Sequence, residues 1–465
     1  MKDKYKPTLE SLDTHPLPEW FDDAKLGMFI DWGVYSVPGW APQVGEGAVY
    51  PDWYLWKMYH GPRTKIYHRK NWGREFECDD FIPFFTASEY DPQEIVELAL
   101  DSGMQYVVPF TKMHDGFCLW DSSYSNRTSV KLGPERDLIR PLVDACREVS
   151  LKIGLYFSID EWVYPIIGPN EEPLIRIWKQ YFLDLYDYVK LVPYDKKYDK
   201  RITGKIPVRD FFSDYIVPQA KELIEKYDPD LLWLDGQWGE TADKRKSTEI
   251  VAFYYNQAEG RKEVVVNDRL GGDTTAKRAD FFTSEFHDTK VSRDHKWEEC
   301  RSLSRNYGYY KDEKEEDILT DKQLIHMLID IVSQGGNLLL MLNPTGPGAI
   351  PQIYSKRFKA LGKWLKINGE AIYSTRKWKN WKDEENLRFT MRKDGKYVYA
   401  ICLKWERNQL RSKLLRPKEN SKVYMLGVDD NLEWRIDNGE LIIEIPPEVS
   451  SKKPCEHAWA FKIEL

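Results

Sequence analysis

Hydrophobic runs alternate with helical patterns along the first three quarters of the chain. The runs are short and rich in apolar, β-branched or aromatic residues, which is typical of buried parallel strands. The candidate strands are Lys25–Gly33, Gln105–His114, Lys152–Asp160, Leu231–Gln237, Val264–Leu270, Asp280–Phe286 and Asn337–Leu342. Helical spacing predicts helices at Asp91–Ser102, Glu135–Ser150, Leu174–Val189, Asp210–Tyr227, Ser247–Ala258 and Asp321–Ser333. This alternation predicts an α/β fold, a (β/α)8-like barrel whose active site lies where the strands end.

The pattern changes after Tyr373. Two strand-like runs, Leu387–Lys393 and Lys396–Trp405, flank an Asp394-Gly395 turn, which is a strong hairpin signal. Further strand patterns follow at Lys422–Leu426, Glu440–Ile445 and Ala458–Leu465, with no helix of comparable strength. We therefore predict two domains, a catalytic (β/α)8-like barrel over residues 1–373 and a C-terminal antiparallel β-sandwich over residues 374–465.

Residues 164–206 form a long excursion between two barrel units. Its basic residues outnumber Asp195 and Asp199. The basic residues are Lys190, Lys196, Lys197, Lys200, Arg201 and Lys205. Two interpretations stay open, a solvated loop and a rim that meets an anionic group on a substrate.

Composition narrows the function classes. The net charge is -7 and basic residues are interleaved with acids, which argues against a nucleic-acid partner. Aromatic residues make up 14% of the chain, with 18 Trp, and such a surplus suits stacking against sugars. There is no apolar run of about 18 residues, so no membrane span is expected. The start of the chain lacks the apolar stretch of a signal peptide. The protein is then either cytoplasmic or a periplasmic or secreted form whose leader has been removed.

Candidate chemistry is concentrated at predicted strand ends. The apolar run Leu231–Leu234 delivers one acid, Asp235, between Trp233 and Gly236. Taken alone, Asp235 could simply cap the turn that follows. Other polar clusters end other predicted strands, however, at Phe29–Gly33, Tyr50–Tyr54, Lys112–Phe117, Tyr156–Ser158, Asn267–Arg269 and Glu285. Because strand ends meet on one face of a barrel, these clusters predict one site.

The clusters contain no cofactor signature. The sequence lacks a GxGxxG motif, a phosphate loop, an HExxH motif and a nucleophile elbow, so no cofactor is expected. A metal held by Asp31, Asp52 and His114 would lack a recognisable ligand spacing. The six cysteines show no zinc-type spacing either and are interpreted as buried thiols. The remaining chemistry is that of carboxylates with aromatic walls, and glycoside hydrolysis uses such a pair.

Ordered motifs along the barrel resemble glycoside hydrolase family 29, the α-L-fucosidases. The resemblance covers the chain from Trp20 to about Arg376. It rests on Trp20–Gly27, Asp115–Ser122, Gly133–Leu138, Gly154–Ser158, Asp228–Gly236, Trp297–Cys300, Tyr307–Tyr309, Ser333–Leu340, Pro344–Thr345 and Gly348–Pro351.

The resemblance implies a retaining, exo-acting α-L-glycosidase. Asp235 matches the nucleophile and Glu285 the acid/base, with Glu298 as the alternative proton donor. Retention requires carboxyl groups about 5 to 5.5 Å apart. The expected substrate-binding residues are Phe29, Asp31, Trp32, Tyr50, Asp52, Trp53, Met113, His114, Tyr156, Trp233 and Arg269.

The departures from the family pattern concern residues that hold the sugar. The family usually has histidine at the positions of Asp31 and Met113, glutamate at Asp52 and tryptophan at Tyr307. An unmatched buried hydroxyl costs about 1 to 3 kcal/mol. We therefore expect a terminal sugar related to L-fucose, either α-L-galactose or a methylated or sulfated fucose, carried by an oligosaccharide or polysaccharide. A plain α-L-fucosidase and a catalytically silent carbohydrate-binding relative are the alternatives.

Overall fold

The computed structural model describes residues 4–179, 189–286, 294–383, 386–405 and 408–465. Eight parallel strands form one sheet. They are β1 (Leu26–Ile30), β2 (Tyr106–Lys112), β3 (Lys152–Ser158), β4 (Leu231–Asp235), β5 (Val265–Val266), β6 (Phe282–Glu285), β7 (Trp297–Arg301) and β8 (Asn337–Leu342). Each strand pairs with its neighbours in chain order, and β8 pairs with β1. The predicted barrel is confirmed.

The seam between β5 and β6 closes the barrel with few backbone contacts. A single parallel bridge joins Asn267 to Phe281. Side chains supply further bonds at this seam. The Asn267 amide donates to the Leu234 carbonyl and accepts from the Leu234 N–H, both at 2.9 Å, and Asp280 Oδ2 accepts from the Val266 N–H at 2.8 Å. The side-chain amide of Asn267 therefore acts as a substitute for a peptide group.

Helices connect the strands and pack around the sheet. The longer ones are Pro92–Asp101, Arg140–Glu148, Val217–Tyr227, Ser247–Ala258, Asp321–Ser333 and Gln352–Asn368. The shorter ones are Leu9–Leu12, Glu19–Ala24, Tyr54–His60, Pro62–Asn71, Asp199–Ile202 and Pro447–Ser451. Asp91 caps its helix by accepting from the Gln93 and Glu94 N–H groups, and Thr320 accepts from the Gln323 N–H. None of the helices in these described ranges is long and apolar enough to cross a membrane.

The predicted helix Leu174–Val189 is wrong wherever the structure describes it. Strands Val163–Ile167, Pro173–Trp178 and Val189–Pro193 form a three-stranded antiparallel sheet, while residues 180–188 lie outside the described residues. The β-branched Ile175 and Ile177 favour a strand because their χ1 angles are restricted in a helix. This sheet follows the carboxyl end of β3 and therefore lies at the mouth of the barrel.

Antiparallel sheets follow the barrel. Thr375–Asp383, Leu387–Arg392, Tyr397–Cys402, Val423–Met425, Asn431–Leu432 and Trp459–Glu464 form a six-stranded sheet, and Gln409–Ser412, Trp434–Asp437 and Glu440–Glu444 form a three-stranded one. Phe389, Val398, Leu441 and Phe461 belong to their shared apolar cluster, which is separate from the barrel core. The predicted β-sandwich is confirmed.

Candidate active site

A cavity of about 550 Å³ opens at the carboxyl ends of the barrel strands. Its floor is aromatic and comes from the first four strands. The ring centroids of Phe110 and Tyr156 are 3.8 Å apart in a stacked arrangement, and Trp233 lies 5.6 Å from Tyr156 and 5.1 Å from Phe29. This layer closes the bottom of the cavity, so a ligand can enter and leave only through the mouth.

The cavity contains every predicted site residue except two. These lining residues are Phe29, Tyr50, Asp52, Trp53, Met113, His114, Tyr156, Trp233, Asp235, Arg269 and Glu285. Asp31 and Trp32 are buried and do not line it. Their side chains instead bind neighbouring protein groups. Tyr35 Oη donates to Asp31 Oδ1 at 2.7 Å, and Trp32 Nε1 donates to the Thr345 carbonyl at 2.8 Å.

Asp235, the last residue of β4, is held by three polar side chains. Its Oδ2 accepts from Tyr156 Oη at 2.9 Å, and its Oδ1 accepts from Arg269 Nη1 at 3.0 Å. His114 Nε2 lies 3.4 Å from Oδ2. Burial raises the pKa of Asp235, but Arg269 and His114 lower it more, so that the pKa lies well below the ordinary value of 3.8. Asp235 is therefore an ionised carboxylate at physiological pH.

The orientation of His114 is fixed from the opposite side of its ring. Its Nδ1 lies 2.6 Å from Ser158 Oγ, and the Ser158 hydroxyl donates to the Asp160 carbonyl. Since that hydroxyl has only one proton, Nδ1 must be the donor in its bond to Ser158. The ring is thereby held with Nε2 directed towards Asp235.

Arg269 joins the two candidate catalytic acids. Its Nη1 donates to Asp235, its Nη2 donates to Glu285 Oε1, and its Nε donates to Thr283 Oγ1 at 2.9 Å. The guanidinium carbon lies 4.7 Å from the centre of the Trp233 ring. Burial lowers the pKa of Arg269, but Glu285 and Asp235 raise it more, so the group stays charged. One rigid, planar cation thus holds both carboxylates beside each other.

Glu298, the alternative proton donor, lies inside the barrel and does not line the cavity. It is the second residue of β7. Its Oε1 accepts from Trp233 Nε1 at 3.1 Å, and its Oε2 accepts from Tyr106 Oη. Burial raises the pKa of Glu298 to about 7, although these two hydrogen bonds oppose the shift. The aromatic floor separates it from the cavity, whereas Glu285 faces the cavity directly.

Glu298→Gln is expected to change how stability depends on pH. A group whose pKa is raised from 4.5 to about 7 on folding stabilises the folded state below pH 4.5, and that stabilisation is lost as the pH rises to 7. The variant should therefore gain about 2 to 3 kcal/mol of unfolding free energy relative to wild type between pH 5 and pH 8. Urea unfolding at both pH values measures this.

The exposed Glu316→Gln serves as the control for that experiment, because its side chain is mostly in solvent. It should follow wild type at both pH values. A Glu298→Gln variant whose difference from wild type is the same at pH 5 and pH 8 would contradict the placement of a neutral acid inside the barrel.

Asp52 is a second buried acid on the cavity wall. Its Oδ1 has no hydrogen-bond partner in the described part of the chain. Burial, and then the charge of Asp31, raise the pKa of Asp52 well above 3.8. A protonated carboxyl group at this position can donate a hydrogen bond to a ligand hydroxyl as well as accept one.

Sequence reasoning did not assign several lining residues to the site. They are Lys57, Phe110, Trp178, Gln237, Trp238, Thr275, Thr283, Ser284, Cys300 and Tyr307. Lys57 follows Trp53 by four residues, at the start of the helix Tyr54–His60, and this helical spacing could have indicated it. Trp178 had no such signal because its segment was predicted as a helix. Within the described ranges, no group of three or more His, Cys, Asp or Glu side chains is arranged to hold a metal ion.

Comparisons with known proteins cover almost the whole chain. The family model "Alpha-L-fucosidase" matches residues 1–370, and "Alpha-L-fucosidase C-terminal domain" matches residues 380–464. Tissue alpha-L-fucosidase of Homo sapiens is 36% identical over 468 residues, which is 99% of this chain and 92% of the human protein. Alpha-L-fucosidase of Branchiostoma floridae is 34% identical over 470 residues, which is 99% of this chain and 96% of that protein.

Solved structures give the same result for the fold. Thermotoga maritima alpha-fucosidase in complex with a mechanism based inhibitor has a TM-score of 0.81 and 34% identity, covering 99% of this chain and 100% of that chain. The same protein in complex with fucose has a TM-score of 0.79 and 33% identity, with the same coverage. The similarity therefore includes the barrel and the C-terminal sheets together.

Proposed function

Because the chain belongs to the α-L-fucosidase family, glycoside hydrolase family 29, we propose that it is a retaining, exo-acting α-L-glycosidase that removes terminal α-L-fucosyl-type residues. The observation that carries this proposal is the single guanidinium of Arg269, which contacts Asp235 and Glu285 in one closed-bottomed cavity. Retaining glycosidases use two carboxyl groups that lie close together.

The first step uses Asp235 as the nucleophile. Its carboxylate attacks the anomeric carbon while Glu285 gives a proton to the oxygen of the leaving group. The bond between the sugar and that oxygen breaks, and a glycosyl ester forms on Asp235. In the second step Glu285 takes a proton from water, the water oxygen attacks the same carbon, and the ester bond breaks.

Arg269 contributes to both steps because the negative charge moves between its two partners. In the resting enzyme it stabilises Asp235 as a carboxylate. Once Asp235 has become an ester, the carboxylate of Glu285 remains as the charged partner, in the state that a general base requires. The cation therefore stabilises whichever acid is ionised at each stage.

The terminal sugar is expected to be neutral. The described basic side chains of the excursion do not line the cavity. Lys205 is buried against Glu161 at 2.9 Å, and Lys200 pairs with Asp80. The excursion thus offers no cationic rim to a sulfate within the described residues, and α-L-galactose or a methylated fucose fits the proposal better than a sulfated sugar.

Met113 is the cavity residue that most affects the hold on the sugar ring. Its sulfur lies 3.3 Å from Tyr156 Oη, but the Tyr156 proton is directed to Asp235. A thioether neither donates a hydrogen bond nor accepts one well. We propose that ordinary fucose is consequently held less tightly than a relative with a substituent that fills the space beside Met113.

Hydrolysis of aryl α-L-fucoside and aryl α-L-galactoside, compared side by side, tests the proposal. The first product seen by proton NMR should be the α anomer, because two inversions give net retention. The galactoside should react at least as fast as the fucoside, and Met113→His should raise kcat/KM for the fucoside about tenfold. An initial β anomer would contradict the retaining mechanism, and a clearly faster fucoside would contradict only the altered specificity.

A further inference from the structure

Two residues directly after Asp235 are not used by the mechanism above. Gln237 and Trp238 follow β4 outwards, beyond the turn at Gly236, and both line the cavity. Gly236 has φ +94°, and a Cβ there would lie 2.9 Å from the side chain of Asp160. The turn is therefore tightly packed, and it sets these two side chains on the mouth side of Asp235.

The Gln237 side chain has an unmet hydrogen-bonding capacity. The residue is only 7% exposed, and its Oε1 is buried without a partner among the described residues. A buried carbonyl oxygen that has lost water and found no donor is unfavourable, so such atoms in native proteins call for an explanation. A hydroxyl group of a bound ligand would supply the missing donor.

Trp238 provides an aromatic surface next to this amide. It is half-buried, and its ring centre lies 5.5 Å from that of Trp178 and 6.0 Å from that of Trp53. Trp178 is itself only 3% exposed, so it supports Trp238 from behind. A half-exposed indole with a packed back can offer its free surface to the apolar C–H face of a pyranose.

A buried ion triad holds the two tryptophans in place. Arg176 Nη1 donates to Asp160 Oδ1 at 2.8 Å, and Arg245 Nη1 donates to Asp160 Oδ2 at 3.1 Å. Arg176 lies two residues before Trp178 on the same strand, and Arg245 also donates to the Trp238 carbonyl. One carboxylate thus fastens both the excursion strand and the loop after β4, which makes the surface rigid before any ligand arrives.

We propose that Gln237 and Trp238, supported by Trp178, form the subsite for the leaving group, and that this leaving group is a hexopyranose residue. The sugar would stack on Trp238 while one of its hydroxyls donates to Gln237 Oε1. The aromatic floor closes the other direction, so the leaving group must point to the mouth where these residues lie. This inference rests on the proposed glycosidase function and adds the class of the leaving group to it.

The test compares two substrates that differ only in the leaving group. One is an α-L-fucosyl-hexopyranose disaccharide and the other is α-L-fucosyl fluoride, which has no sugar to occupy the subsite. kcat/KM is measured for wild type, Trp238→Ala and Gln237→Met. Since kcat/KM includes the transition state in which the leaving group is still bound, the ratio of disaccharide to fluoride should fall about tenfold in each variant.

Trp56→Phe is the matched control. Trp56 is buried, its ring lies 5.5 Å from Trp178, and it does not line the cavity. It should leave the ratio as in wild type. Equal losses on both substrates in the Gln237 and Trp238 variants, or an unchanged ratio, would overturn the subsite while leaving the glycosidase function intact. A wild type that hydrolyses neither substrate would overturn both.

Discussion

Replacing Asp235 by alanine is expected to lower kcat/KM for an aryl α-L-fucoside by about 10⁴-fold or more, because the nucleophile of the first step is lost. The measurement is initial-rate kinetics at saturating and low substrate. The space left by the carboxylate adjoins Arg269 and Tyr156, two donors that face a small anion equally well. Added azide should therefore enter, restore part of the rate and give β-L-fucosyl azide, the product of a single inversion.

Asp230→Ala is the matched control for this variant. Asp230 directly precedes the first residue of β4, at the opposite end of the strand from Asp235, where it pairs with Lys152 at 3.1 Å. It should keep a kcat/KM close to that of wild type and show no response to azide. An Asp235→Ala enzyme that retains most of its activity, or that yields no β azide, would contradict the role of Asp235.

Replacing Glu285 by glutamine is expected to produce a loss that depends on the leaving group. A poor leaving group needs its proton, so kcat/KM for a disaccharide should fall about 10³-fold. A 2,4-dinitrophenyl fucoside leaves without protonation, and its kcat/KM should fall only about tenfold or less. The two ratios are obtained from the same preparation of enzyme, so a difference in folded fraction cancels.

Glu298→Gln separates the two candidate proton donors. Glu298 contacts Tyr106 and Trp233 below the aromatic floor, and any effect of its loss reaches the substrate through Trp233. The variant should change kcat/KM by the same factor for both leaving groups. A leaving-group-dependent loss in Glu298→Gln with none in Glu285→Gln would reverse the assignment.

Seven of the eight barrel strands were predictable because their side chains are apolar and buried on both faces. The eighth, Trp297–Arg301, has the sequence Trp-Glu-Glu-Cys-Arg and no such pattern. Its Glu298 is accommodated in the interior only because Tyr106 and Trp233 donate to it. Those partners come from strands far away in the sequence, so a local pattern cannot reveal them.

The site was predictable to the extent that it consists of strand ends. Asp235, Arg269 and Glu285 each follow a barrel strand, and the topology alone brings them together. Trp178 reaches the same cavity from the excursion, whose antiparallel sheet depends on pairing over long sequence distances. Conversely, Asp31 and Trp32 follow β1 but turn into the protein, where Tyr35 and Thr345 bind them. Strand-end position fixes the neighbourhood of a residue and leaves its direction to packing.

The side-chain closure of the barrel at Asn267 and Asp280 has a consequence for how this protein can diverge. Elsewhere around the ring, any amino acid except proline supplies the peptide groups that the neighbouring strand needs. Between the fifth and sixth strands, two particular side chains perform this task, two residues before Arg269 and two before Phe282. The ring is thus chemically encoded at one place and geometrically encoded at the rest, and the encoded place directly adjoins the residues that hold the catalytic cation.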